Sequence, residues 1–278
     1  MIVDFRVRPP YGGYLGTHMY RDRDRTARMA RAQGQEPPGA LAGASWDAFL
    51  EELAAAGIDR AVVPGRRTGV GFGDVPNADV AEMARLTDDR LIGFAAVREG
   101  SDDAVAELER DVVELGLVGL ALDPGMADEP RYLDDPTLLP LYERCVALGI
   151  PVMITFSGNA GPDVGYADPV RLDRLSARFP DLQIIVAHGG WPWILPTLGV
   201  AFRRPNVWIS PDMYLVGMPG ALEYVAAANG FLRDRLLFGS SYPFTPLAGA
   251  LEAYRALPFA PGVLPLVLGE NAARLLAL

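Results

Sequence analysis

The chain contains no lysine. All 25 basic residues are arginines, against 35 acidic residues, so the formal net charge is −10. Without lysine, neither a Schiff base nor a lysine general base is available to the protein. An acidic chain also has no positive field for non-specific binding to nucleic acid or to anionic membranes, and we expect neither partner. Arginines held away from the surface can still bind a small anionic molecule, which is the partner that we expect.

Cysteine and histidine are almost absent. Cys145 is the only cysteine, which excludes an intrachain disulfide and a cysteine-based zinc site. Its place in an amphipathic helical pattern predicts a packed side chain rather than a nucleophile. No apolar run approaches membrane-spanning length, and the sequence begins directly with a predicted strand, without a basic or apolar leader. We therefore expect a cytoplasmic protein.

Short apolar runs rich in β-branched residues alternate with helical patterns along all 278 residues. The predicted strands are Ile2–Arg6, Ala61–Pro64, Leu91–Val97, Val118–Leu122, Pro151–Thr155, Gln183–Ala187, Val207–Ser210 and Leu236–Gly239. The predicted helices are Trp46–Ala56, Asn77–Leu86, Asp102–Glu114, Pro136–Leu148, Asp168–Arg178, Trp193–Arg203 and Gly220–Ala228. Most of the strands are apolar throughout, which is typical of a parallel sheet buried on both faces. The pattern predicts an α/β protein, a (β/α)8 TIM barrel in a single domain, with a doubly wound open sheet as the alternative.

One long irregular insertion, Pro9–Ser45, follows the first predicted strand. It contains the mixed-charge run Arg21–Arg25, which is typical of a solvated helix face. Loops of this length are often functional. Its place after a barrel strand predicts a lid over the mouth of the barrel.

Two arginines alternate at the end of the first predicted strand. Side chains two residues apart on a strand share a face, so Arg6 and Arg8 point the same way. This favours a two-arginine clamp for a substrate carboxylate, since guanidinium groups bind carboxylates in a bidentate manner. The alternative is structural pairing of these arginines with Asp4, Asp123 or Asp212.

Polar side chains follow several of the other predicted strands. His188 ends the sixth strand, and its type suits proton transfer near neutral pH, although a buried structural histidine is the alternative. Asp212, after the seventh strand, either activates water or orients His188. Asp123 has the same two options but precedes a proline, which favours a turn residue. We predict His188, Asp212 and Ser241 as the catalytic residues, and expect Gly189 to let a ligand approach the backbone.

Further candidates complete the predicted substrate-binding set. Arg66 and Arg67 follow the second strand and extend the cationic site, with one of the two expected to be solvated, and Arg66 is assigned to the substrate-binding set. Thr155 ends the fifth strand and offers a hydroxyl. Tyr242 follows the eighth strand and offers an aromatic wall. His18 lies in the insertion, where it either contacts substrate or is an ordinary loop histidine.

Five segments carry a family resemblance. They are Ile2-Val3-Asp4, Leu148-Gly149-Ile150-Pro151-Val152, Ile184-Ile185-Val186-Ala187-His188-Gly189-Gly190, Leu236-Leu237-Phe238-Gly239-Ser240-Ser241-Tyr242-Pro243 and Gly269-Glu270-Asn271-Ala272-Ala273-Arg274-Leu275-Leu276. In this order they cover nearly the whole chain and resemble the amidohydrolase-related family of the amidohydrolase superfamily. That family contains metal-dependent decarboxylases and hydrolases of small aromatic and muconate-type acids.

The chain departs from the metal-ligand motif of that family. The family pattern has a His-x-His pair where this chain has Arg6 and Arg8, a histidine at Thr155 and an aspartate at Ser241. Only His188 is retained. Because arginine keeps its proton and repels a cation, the resemblance with a degenerate motif implies that the family's metal is not carried over, and we expect no cofactor.

These observations predict a metal-independent hydrolase that acts on a small carboxylate-bearing substrate such as a lactone. Metal-free lactonases occur among relatives of the family, and an ester needs less electrophilic activation than an amide. Decarboxylation or another C–C lyase step on a small organic acid is one alternative. A catalytically degenerate barrel that binds an anionic metabolite or a partner is another. Barrels of this kind often form homodimers, and the apolar tail Leu275–Leu278 suits either such a contact or a cap on the barrel floor.

Overall fold

A ring of short parallel strands forms the centre of the computed structural model, which describes residues Met1–Leu278. The strands of the ring are β1 (Val3–Asp4), β2 (Arg60–Pro64), β5 (Leu91–Phe94), β6 (Leu120–Leu122), β7 (Val152–Thr155), β8 (Ile184–Ala187) and β9 (Val207–Ser210). An antiparallel hairpin of β3 (Arg66–Arg67) and β4 (Asp74–Val75) lies beside the ring. A bridge between Ala95 and Leu120 joins its two parallel sheets, β1–β2–β5 and β6–β7–β8–β9.

The eighth position of the ring is occupied but is not a regular strand. Leu237 N donates to Ile209 O at 2.9 Å, and Phe5 N donates to Phe238 O at 2.8 Å, which closes the barrel. Phe238 N donates to Val267 O at 2.9 Å rather than to a neighbouring strand. The pairing with β9 is therefore limited to the single bridge between Ile209 and Leu236. The barrel is confirmed and the open sheet is excluded, but the predicted strand over Leu236–Gly239 is wrong.

Twelve α-helices surround the strands. They are α1 (His18–Arg21), α2 (Arg23–Ala32), α3 (Gly39–Gly43), α4 (Trp46–Ala55), α5 (Asn77–Leu86), α6 (Ala104–Leu115), α7 (Leu139–Leu148), α8 (Pro169–Arg178), α9 (Ile194–Arg203), α10 (Ala221–Ala228), α11 (Leu247–Arg255) and α12 (Asn271–Leu276). All seven predicted helices are present. α8 begins where the Asp168 carboxylate accepts from Val170 N, with Pro169 in the first turn, and α7 ends at Gly149 with φ of 68°. None of the helices combines the length and the apolar character that a membrane crossing requires.

Alternate residues of the strands enter two different cores. A cluster of 12 buried residues, including Val62, Met153 and Ile185, fills the barrel, while their neighbours face the helices in a cluster of 62. This is the two-sided burial that the continuous apolar runs predict. Leu275 and Leu276 pack against the inner cluster, as the floor-cap alternative for the tail requires.

The segment Pro9–Ser45 is helical rather than irregular, which corrects the prediction. It contains α1 to α3. Met19 and Thr26 in these helices are buried, and the Thr26 hydroxyl donates to Met19 O at 2.8 Å. The run Arg21–Arg25 is exposed, as predicted. The charged residues of this run obscure the helical periodicity in the sequence, because α2 has few apolar positions. The Tyr20 hydroxyl donates to Arg8 O at 2.6 Å and fixes the segment to the mouth of the barrel.

Candidate active site

A cavity of about 230 Å³ lies at the carboxyl ends of the strands, between the barrel and the segment Pro9–Ser45. Three arginines line it, Arg8, Arg25 and Arg66, and no aspartate or glutamate does. Other polar groups in the wall are His18, Thr26, Thr155, Ser157, Asn159 and His188. The apolar part is formed by Met29, Phe72, Met126, Ala160, Met213, Tyr214 and Phe244. A cationic wall in a partly apolar cavity favours a small anion that carries an apolar body.

Arg8 is a buried cation without a carboxylate partner. Its side chain is 2% exposed, and Nη1 donates to Ser241 Oγ at 3.1 Å and to Ser241 O at 3.3 Å, both uncharged acceptors. Burial lowers the pKa of Arg8 to about 9, because the charged form loses its hydration. A bound anion would supply the missing charge, since buried charges are normally paired.

Arg66 also lines the cavity, but a buried acid compensates its charge. Arg66 Nε lies 3.2 Å from Asp123 Oδ2, and Nη2 donates to Asp123 Oδ1 at 3.3 Å. Burial favours the neutral acid, yet Arg66 and then Arg6 outweigh it, so the pKa of Asp123 is lowered. Asp123 is thus an ionised structural partner of Arg66, in line with the interpretation that gave it a structural role.

Arg6 lies below the cavity and does not line it. Two residues along a strand separate the side chains by about 6.6 Å, so Arg6 sits one level deeper than Arg8. Its Nη2 donates to Thr155 Oγ1 at 2.7 Å, and its Nη1 is 3.7 Å from Asp212 Oδ2. The predicted two-arginine clamp is therefore divided. Arg8 faces the cavity, whereas Arg6 takes the alternative role of pairing with buried acids, here Asp212 and, at 4.0 Å, Asp123.

His188 and Asp212 form a buried pair at the cavity wall. His188 Nδ1 lies 2.8 Å from Asp212 Oδ1, and His188 N donates to Asp212 Oδ2 at 3.2 Å. Because the carboxylate accepts, Nδ1 carries the proton and Nε2 is the free ring nitrogen. Burial lowers the pKa of His188 to about 4 in spite of Asp212, so the ring is neutral at pH 7.

The backbone around this pair is strained. His188, Asp212 and Ser241 have φ of 69°, 46° and 59°, in the left-handed region that side chains other than glycine rarely adopt. Such conformations persist where the surrounding structure imposes them, often at functional sites. All three follow barrel strands or strand positions, so the strain turns the chain at the mouth and aims the side chains inward.

Comparison with protein-family models identifies the family of this chain. The family model described as amidohydrolase matches residues 5–278. The chain belongs to the amidohydrolase family. A solved relative, an uncharacterized TIM-barrel protein from Bordetella bronchiseptica, is 42% identical with a TM-score of 0.95, over 99% of this chain and 98% of that one.

Two curated relatives of this amidohydrolase are decarboxylases by name. The 2-amino-3-carboxymuconate-6-semialdehyde decarboxylase of Dictyostelium discoideum is 27% identical over 202 residues, 60% of this chain and 55% of the relative. A gamma-resorcylate decarboxylase of a Rhizobium species is 26% identical over 242 residues, 71% of this chain and 73% of the relative. The match thus spans about half the length of the first relative.

The metal of the family's metal-dependent members does not fit the side chains of this amidohydrolase. Among the positions that the resemblance assigns to ligands, only His188 can coordinate an ion. The Arg6 guanidinium donates a hydrogen bond to Thr155, and the Arg8 guanidinium donates one to Ser241. Thr155 and Ser241 occupy two further ligand positions of the family pattern. No three histidine, cysteine, aspartate or glutamate side chains are placed to hold a metal ion together. Two fixed guanidiniums at this centre would repel a divalent cation.

Several predicted site residues lie in the cavity wall, namely Arg8, Arg66, Thr155, His18 and His188. Asp212 lies directly behind His188. Ser241 is buried, and its hydroxyl is an acceptor for Arg8, so it supports the wall without lining it. Tyr242 lies outside the cavity: its ring packs on Phe49 and its hydroxyl donates to Glu52 Oε2 at 3.1 Å.

The structure changes the interpretation of Gly189. Gly189 does not face a ligand, because a Cβ there would lie 2.7 Å from the Tyr224 hydroxyl, which donates to Gly189 O. The glycine instead permits close packing within the protein. Arg67 pairs with Glu107 at 2.9 Å outside the cavity, so only one arginine of the pair at 66 and 67 belongs to the site.

Sequence reasoning missed a second group of lining residues. Arg25 lies in the mixed-charge run, where nothing in the pattern separates it from its solvated neighbours. Phe72 comes from the tip of the β3–β4 hairpin, and Phe244 from the turn after the eighth strand position. Asn159 donates to the Tyr214 hydroxyl at 3.0 Å and follows β7 by four residues. Only Asn159, as a polar residue near a strand end, carries a signal that sequence reasoning can use.

Proposed function

We propose that this amidohydrolase is a metal-independent hydrolase of a small lactone that carries a carboxylate. The observation that supports the proposal most is Arg8, a buried arginine in the cavity wall with no acidic partner. Its guanidinium matches a carboxylate in charge and geometry. Arg66, whose charge Asp123 compensates, would contribute less than Arg8, and Thr155 and His18 would contact the ligand from the cavity wall. Tyr214 and Phe244 would cover its apolar ring.

The His188–Asp212 pair suits the activation of water. In the proposed reaction His188 Nε2 takes a proton from a water molecule while the water oxygen attacks the lactone carbonyl carbon. Asp212 stabilises the resulting imidazolium through the Nδ1 hydrogen bond. The ring C–O bond then breaks, and the imidazolium returns its proton to the departing oxygen. The products are a carboxylic acid, which releases its proton to solvent and becomes a second carboxylate, and a hydroxyl, and His188 is neutral again.

The protonation state of His188 favours hydrolysis over decarboxylation. With a pKa of about 4, the ring is a base at neutral pH and not an acid. A decarboxylase step needs a group that delivers a proton to carbon, and a neutral imidazole is poorly suited to that role. Hydrolysis needs the neutral ring first. The site therefore matches the requirement of a hydrolase better.

Decarboxylation remains the second candidate because two relatives carry that activity in their names. The same cavity would bind the acid at Arg8, and His188 would have to acquire a proton on substrate binding. A substrate carboxylate bound to Arg8 would neutralise the charge of its guanidinium. Arg8 is one of the groups that lower the pKa of His188, so the pKa of His188 would then rise.

The test uses chelator-treated protein and a small panel of compounds. The probes are 2-pyrone-6-carboxylate, its methyl ester, and 2,6-dihydroxybenzoate, with ring opening followed by absorbance and CO2 release followed separately. We expect ring opening of the acid, much slower opening of the ester because Arg8 has no anion to bind, and no CO2. His188→Gln should lower kcat by about 100-fold or more, since general-base catalysis contributes on that order.

The control variant is Arg67→Gln, which removes an arginine beside the site but outside the cavity. It should turn over the acid as the wild-type protein does. CO2 release that is lost in His188→Gln would favour the decarboxylase. Binding of the acids without turnover of any compound would favour the degenerate barrel that binds an anionic metabolite.

A further inference from the structure

A continuous chain of polar contacts crosses the mouth of the barrel, partly in the cavity wall and partly behind it. Its members, in order of contact, are Arg66, Asp123, Thr155, Arg6, Asp212 and His188. All six are at least nine-tenths buried. They come from six separate segments at the mouth of the barrel, so the chain links the cationic wall to the candidate base.

Arg6 is the centre of this chain, and its geometry is unsuited to a ligand. Its guanidinium is 2% exposed and does not line the cavity. One nitrogen donates to Thr155 Oγ1 at 2.7 Å, and another lies 3.7 Å from Asp212 Oδ2. The Thr155 hydroxyl donates in turn to Asp123. Arg6 Nε and Nη1 form no hydrogen bond, so its contacts are the one hydrogen bond to Thr155 and the ion pairs with Asp212 and Asp123.

We propose that Arg6 is a positioning residue for His188 and does not bind substrate. Its guanidinium holds the Asp212 carboxylate in place and disfavours a second positive charge on the imidazole. The carboxylate of the ligand is left to Arg8. The assignment rests on the proposed function only through the role of His188 as a base.

The charges that face His188 support this assignment. Asp212 contacts Nδ1 and favours the protonated ring, whereas burial, Arg6 and Arg8 lower its pKa, burial most strongly. The Tyr214 ring packs edge-on at 5.2 Å between centroids and brings no charge, because the pKa of Tyr214 is raised by burial. Removal of Arg6 would leave Asp212 as the dominant charge near the ring, so the imidazolium would become more favourable.

Nitrogen-15 NMR of the imidazoles tests this without any ligand. The chain has two histidines, so His18→Gln assigns both signals. In Arg6→Met the pKa of His188 should rise by about one to three units, the range for a nearby charge. In Arg6→Lys, which keeps a cation near Asp212, it should stay within about one unit of wild type. Arg67→Met is the matched control and should not move it.

Calorimetric titration with 2-pyrone-6-carboxylate, with every variant made in the His188→Gln background so that the probe is not turned over, separates positioning from binding. Arg6→Lys should bind the probe within about threefold of the His188→Gln parent, and Arg8→Lys should bind it about 10- to 100-fold more weakly, as expected for charge-assisted hydrogen bonds whose geometry is lost. If Arg6→Met does not fold, this comparison decides. Equal losses in the two lysine variants would overturn the assignment, as would an unchanged His188 titration in folded Arg6→Met. Absence of lactone turnover, with the expected titration and binding results, would refute the proposed hydrolysis alone.

Discussion

Arg8 and Arg6 lie two residues apart and are equally buried, yet their removal should change stability in opposite directions. The perturbation is Arg8→Met against Arg6→Met. The fall in the Arg8 pKa to about 9 corresponds, at about 1.4 kcal/mol per pH unit, to about 5 kcal/mol for burying the charged form. The pKa of Arg8 is lower in the folded protein than in the unfolded chain. The cost of burying the charge is therefore present in full below about pH 9 and decreases only as the pH rises above that value.

Arg8→Met removes that cost but also removes the hydrogen bonds to Ser241, worth about 1–3 kcal/mol. The free energy of unfolding should therefore rise by about 2–4 kcal/mol. Burial lowers the pKa of Arg6 as well, but Asp212 and Asp123 act against it. Arg6→Met leaves Asp212 without its cation and should lower the free energy of unfolding by about 3–5 kcal/mol, as breaking a buried pair does. A stabilising loss of a wall residue is typical of a group kept for function.

The assay is urea unfolding of the wild type and the two variants at about pH 7.5, followed by circular dichroism. Met has nearly the length of the apolar part of arginine, so the comparison isolates the charge. Destabilisation by both substitutions to a similar extent would show that the charge of Arg8 is as well compensated as that of Arg6, contrary to this prediction.

Three other predictions address single groups. With the pKa of His188 at about 4, kcat/KM should be level at neutral pH and fall only as the pH drops toward 4, and an acid limb near 6.5 would contradict the neutral buried ring. Burial raises the pKa of Glu99 to about 8. The free energy of unfolding of Glu99→Gln should therefore match that of the wild type at about pH 5 and exceed it by a few kcal/mol at about pH 9. A difference in urea unfolding that is the same at both pH values would contradict this. Burial raises the pKa of Cys145 to about 12, so a disulfide reagent should label it only in unfolding conditions, and rapid native labelling would contradict its packing.

The barrel was predictable because its strands are buried on both faces and read as uninterrupted apolar runs. The helical units between them followed from ordinary caps and periodicity. The last strand position was not predictable in detail, since its break depends on the contact of Phe238 with Val267, which is absent from the local pattern. The helices within Pro9–Ser45 escaped prediction because arginine and aspartate obscure the few apolar positions of α2.

The site was predictable where chain position alone decides it. His188 and Asp212 follow adjacent strands, and adjacent parallel strands bring such residues together. The division of Arg6 from Arg8 was not predictable, since alternation gives a common face but neither depth nor partners. Asp123 reaches Arg6 and Arg66 from more than 50 residues away in the chain, and only the folded barrel decides which arginine it neutralises.

The most direct measurement is the crystal structure of His188→Gln with 2-pyrone-6-carboxylate bound. We expect the probe carboxylate on the Arg8 guanidinium, with nitrogen–oxygen distances of about 2.7–2.9 Å. We also expect the lactone carbonyl beside position 188 and Arg6 still paired with Asp212. A carboxylate bound elsewhere in the barrel, or a divalent ion coordinated at the place of the Arg6 guanidinium, would show that the proposed site is wrong.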